Sequence, residues 1–202
     1  MAGCGCSIEA ENNAQKKVLI ILLSINLSFF FIEFIAGWIS HSTGLMADSL
    51  DMLADASVYA VGLYAVGRAA TVKIKAAFLN GGLQVLLGGV VLLDIIRRLL
   101  LGNEPESLFM LTVGFLALLA NVVCLLLLMK HRQGDINMRA TWICSRNDVI
   151  ANLGVIIAGG LVAYTGSATP DFIIGLIIAF IVTKGGIQIL NEARHAQIPL
   201  PS

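Results

Sequence analysis

Charge is what this sequence has least of. Asp, Glu, Lys and Arg together make up 13% of the 202 residues, about half the share of an ordinary soluble domain. The 13 basic and 13 acidic residues cancel, so no electrostatic case exists for nucleic-acid binding. Cysteines are few: Cys4 and Cys6 lie in a polar tail, and Cys124 and Cys144 lie inside apolar runs. That distribution excludes a secreted disulfide framework. No cleaved leader is expected, because the first apolar run starts at Val18, is long enough to span a bilayer and carries no small-residue cleavage site. No G-x-G-D sequence is present, which speaks against an intramembrane aspartyl protease, and the chain reads as a protein that is not an enzyme.

Apolar sequence is what the chain has instead, at 57% of residues. At roughly 20 residues per membrane span, there is room for about six helices and no large soluble domain. The expected fold is an all-α membrane protein of six transmembrane helices: a cytoplasmic tail over 1–17, a membrane domain over 18–190 and a second cytoplasmic tail over 191–202. The spans are expected at Val18–Trp38, Gly44–Gly67, Ala76–Leu99, Ser107–Met129, Met138–Tyr164 and Phe172–Leu190. Orientation follows the bias of Lys and Arg towards the cytoplasm. With the N-terminus inside, Lys16, Lys17, Arg68, Lys73, Lys75, Lys130, Arg132, Arg139 and Arg194 fall on the cytoplasmic side. Arg97 and Arg98 fall near the other face, so both termini are expected to be cytoplasmic.

The second span carries Asp48, Asp51 and Asp55. Their spacing of three and then four puts all three carboxylates on one helix face. Each ionised Asp near a bilayer centre costs roughly 2.5–3.5 kcal/mol, so that face must meet other helices, water or a cation. In the fifth span Cys144, Asp148 and Asn152 recur every four residues and share a face in the same way. Counted from the inner ends of their spans, Asp55 and Asp148 both lie roughly 15–18 Å deep, near the midplane. Asp51, Asp55, Cys144 and Asp148 therefore form one candidate site for a divalent cation. Four such ligands suit tetrahedral zinc, whereas magnesium and calcium want oxygen alone and more of it. The sulfur tilts the choice to softer ions, zinc and cadmium first. Because metal ligands must be deprotonated, metal binding and proton release are linked.

"GWISHSTGLMADSLDMLAD" across spans one and two, and "NMRATWICSRNDVIANLGV" entering span five, resemble the cation diffusion facilitator family. The resemblance covers spans one to six. It implies a six-helix transporter in the membrane, which exports a divalent transition metal from the cytoplasm in exchange for protons. It places the ligands at Asp51, Asp55, Cys144 and Asp148, calls for no cofactor beyond the transported Zn2+ or Cd2+, and suggests a homodimer in a bacterial inner membrane. Four departures stand out. Cys144 occupies a position commonly His or Asp, and the link between helices two and three is cut to "RAATVKIK". The family's cytoplasmic C-terminal domain does not follow Leu190, and "KHRQGDIN" holds a single His131 in place of a histidine-rich loop. The missing C-terminal domain and Cys144 motivate an alternative, a metal-binding sensor or partner subunit that does not transport.

Other polar residues in the spans have humbler expected roles. Asp48 suits a helix start or an exit path, and Glu33 either shuttles protons or structures the bundle, with Arg146 as a possible partner. Asn26, Asn80, Asn121 and Asn152 are expected to bond between helices. Gly81, Gly82, Gly88, Gly89, Gly159 and Gly160 are expected at close helix contacts, and Lys184 to snorkel. The Cys4–Cys6 pair could capture a soft metal, although a disordered tail is the plainer reading.

Overall fold

The computed structural model describes residues 13–65, 70–102, 104–129 and 136–197, and within these the side chains of 136–144 among others lie outside the description. Six helices follow one another: α1 Asn13–Ile39, α2 Thr43–Ala65, α3 Ala70–Leu101, α4 Ser107–Met129, α5 Ile136–Thr165 and α6 Thr169–Gln197. Short connections make successive helices antiparallel. The six expected spans are the six helices, but several run further than apolarity alone indicates. Helix α6 continues past Leu190 through "NEARHAQ" because Glu, Ala, Arg and Gln are good helix formers. Arg194 and His195 in its last turn also suit the negative end of the helix dipole.

Helices α1, α3, α4, α5 and α6 each contain a stretch long and apolar enough to cross a membrane. Helix α2, diluted by its aspartates, does not. It is enclosed instead, packing against all five of the others, and residues 42–50 are buried without a break. The other helices turn large apolar side chains outward, such as Leu79 (75% exposed), Leu100 (80%) and Phe180 (65%). Surface of that kind belongs in lipid, and the chain is an integral membrane protein. At the far end of α3, Asp94 accepts from Arg97 (2.8 Å) and Arg98 (2.6 Å), so those two cations are partly neutralised within their own helix.

Helices α3 and α6 meet most closely where glycine removes the side chain. A Cβ on Gly186 would lie 2.8 Å from the carbonyl oxygen of Gly81 and 2.9 Å from the amide of Val85. Gly81, Gly88 and Gly159 are likewise at tight contacts, as the sequence suggested, but Gly82, Gly89 and Gly160 have nothing within 4 Å. The correction has a simple cause: neighbouring glycines point about 100° apart on a helix, so one of each pair faces lipid. Gly186→Val should therefore lower stability by about 1–3 kcal/mol through overpacking against backbone, read as an earlier thermal transition in detergent. Gly82→Ala should leave the transition unchanged or raise it.

At the opposite face from the chain ends, the tips of α2 and α6 are tied together. Asp171, in the first turn of α6, is fully buried. Its Oδ1 accepts from Ser42 Oγ (2.7 Å) and the Gly44 amide (2.9 Å), and its Oδ2 from the Thr43 amide and hydroxyl (2.6 Å each). The carboxylate thus caps α2 from another helix, satisfying N–H groups that have no partner within their own turn.

Candidate metal centre

Asp51 and Asp55 on α2 and Asp148 on α5 line one cavity of about 60 Å³, room for an ion with water. Ala54 and Val58 complete the α2 wall, Asn147 stands beside Asp148, Gln84 enters from α3, and Ile181, Val182, Gly185 and Ile189 close it from α6. The helical spacing of the aspartates and the antiparallel run of α2 and α5 bring these groups to one depth. The carboxyls of Asp55 and Asp148 lie within hydrogen-bonding reach of each other. Tyr59 OH donates to Asp55 Oδ2 at 3.1 Å from the next turn of α2. Among the described residues no three His, Cys, Asp or Glu side chains are drawn around a single point. The aspartates share a cavity without converging on one point. The side chain of Cys144 lies outside the described residues, as do Cys4, Cys6 and His131.

A second polar chain crosses the bundle beside this cavity. Asn121 Nδ2 on α4 donates to Asn152 Oδ1 on α5 (3.2 Å), and Asn152 Nδ2 donates to Asp48 Oδ2 on α2 (2.6 Å). Asp48 in turn abuts the carboxyl of Glu33 on α1. All four residues are buried. Asp48 is therefore neither a helix start nor a lining residue of the cavity, but the hub of an interhelical network. Glu33 does not meet Arg146: among the described residues no N–H or O–H donates to either of its oxygens, and Arg146 is exposed. Asn80 accepts from Ser57 Oγ, tying α3 to α2. Asn26 donates to Leu22 O at 2.9 Å and reaches Cys124 Sγ on α4 at 3.9 Å.

Sequence reasoning missed Tyr59, Gln84 and Asn147. Tyr59 was open to discovery, since it falls four residues after Asp55 and so above it on the same face. Gln84 comes from α3 and carries no signal until α3 is placed.

A bundle of long, lipid-facing helices thus surrounds one acidic helix, and carboxylates of α2 and α5 face one buried cavity. The chain belongs to the cation efflux family: the family's transmembrane-domain model matches residues 19–196. It is 27% identical over 198 residues to the zinc transporter ZitB of Yersinia pseudotuberculosis, covering 92% of this chain and 64% of that protein. It is 25% identical over 201 residues to the cadmium, cobalt and zinc/H(+)-K(+) antiporter of Bacillus subtilis, with the same coverages. The metal cation efflux system protein CzcD of Cupriavidus metallidurans is 25% identical over 197 residues, covering 88% of this chain and 62% of that protein. The chain thus spans a little under two thirds of the length of these relatives.

Proposed function

We propose that the chain exports a divalent transition-metal cation, zinc or cadmium, from the cytoplasm in exchange for protons, with Asp51, Asp55, Cys144 and Asp148 as the ligands. The observation that carries this reading is the meeting of Asp55 and Asp148 from antiparallel helices in a cavity that Asp51 also lines. Acidic side chains opposed at that depth need a positive charge between them. A divalent metal supplies it, and so do protons, and the two compete for the same oxygens. A bundle that exposes the cavity to each side in turn then converts a proton gradient into metal movement. Relatives named for zinc, and for cadmium, cobalt and zinc against H(+) and K(+), support the substrate class and the exchange. The protein acts as a transporter rather than an enzyme, sits in a bacterial inner membrane with both ends of the chain in the cytoplasm, and can pair as a homodimer through helix packing.

The test is uptake into vesicles holding the purified chain, with zinc and cadmium followed by a dye under an imposed proton gradient. Metal flux should follow the gradient and collapse without it. Flux indifferent to the gradient would mark a channel. Binding with no flux would mark the alternative, a sensor or partner subunit.

A further inference from the structure

The four hydrogen bonds on Asp171 have no part in the metal centre, yet they involve the same two helices. At their first turns α2 and α6 touch with no gap. A Cβ on Gly44 would lie 2.9 Å from Asp171 Oδ1, and one on Gly175 would lie 3.1 Å from the backbone carbonyl of Thr43. Two turns further along, α2 and α6 hold the carboxylate cavity between them, with Asp51 and Asp55 on one wall and Ile181, Val182 and Gly185 on the other. This joint lies on the side of the cavity where α2 and α6 begin.

We propose that Asp171 is a positioning residue that keeps this face shut, clasping the tip of α2 to α6 until transport opens it; the inference rests on the transport reading above. Helices in lipid can be fixed to each other by close packing of small residues alone, and Gly44 and Gly175 already provide that here. A buried carboxylate adds something packing does not. Its bonds to Ser42, Thr43 and Gly44 can be exchanged for bonds to water when the joint parts, so the closed state is held firmly and the open state is still reachable.

A covalent clasp separates a gate from a permanent staple. In Ser42→Cys/Asp171→Cys, joined by oxidation to a disulfide, zinc should still bind from the other face, while proton-driven uptake into vesicles falls at least about tenfold and returns on reduction. Oxidised protein that carries zinc at the parent's rate overturns the gate. A parent that binds zinc without moving it overturns the transport reading instead, and the clasp is then judged by a measurement that needs no flux. Ala47 is buried one turn beyond the joint, and labelling of an Ala47→Cys reporter by a maleimide in detergent reports whether that end opens. Adding Asp171→Asn should speed labelling about tenfold, and Ser42→Ala, which removes a single bond and is the milder variant for folding, about fivefold. Unchanged labelling in both variants sinks the proposal.

Discussion

Asp55→Ala should weaken zinc binding by at least about a hundredfold, since partners that merely orient a ligand are worth ten- to a hundredfold, and should abolish uptake into vesicles. Asp55 lines the cavity, lies within hydrogen-bonding reach of Asp148 on α5 and accepts from Tyr59 OH. Asp148→Ala should behave alike, and the double variant should lose little more, because each single change already dismantles the shared site. Tyr59→Phe keeps the carboxylate and removes the hydroxyl that orients it, so its loss should stay near tenfold. Titration calorimetry in detergent, with elution volume and helix content as controls for folding, makes the measurement. Parent-like affinity in Asp55→Ala would end the assignment of this cavity as the metal centre.

The second large effect concerns pH. Protons and zinc compete for the same carboxylate oxygens, and zinc binds only the deprotonated form. Acid therefore favours the proton, and zinc affinity should fall as pH falls, by up to about tenfold per unit for each proton that leaves when the metal enters. Calorimetry at pH 6, 7 and 8 gives the slope. Repeating it in buffers of different ionisation enthalpy counts the released protons directly. A flat affinity with no released proton would remove the coupling on which exchange depends.

Much of this molecule can be read from its sequence because lipid is an undemanding solvent to predict. Long apolar runs mark five of the six helices, and the regular spacing of Asp48, Asp51 and Asp55 singles out α2 as the helix in need of company. Length and composition could not say how the helices arrange around one another. Whether Gly81 or Gly82 meets α6, or whether Glu33 finds Arg146 or Asp48, depends on helix rotation, which a uniformly apolar helix does not encode. Asp171 was hidden for another reason. An acidic residue in a first turn reads as an ordinary companion to the helix dipole, and only the placement of α2 beside it reveals four donors. Distance along the chain suits Asp48 to a helix start or an exit path, whereas its bond to Asn152 on α5 appears only once the helices are placed.

The enclosure of α2 also bears on how the chain is made. Threaded on its own into a bilayer, a segment with three aspartates would be rejected, since each would have to be desolvated with nothing to offset it. Helix α1 is made before α2 and packs along it. The two must enter together as a hairpin, so that biosynthesis, and not just the finished architecture, depends on the acidic helix never being alone.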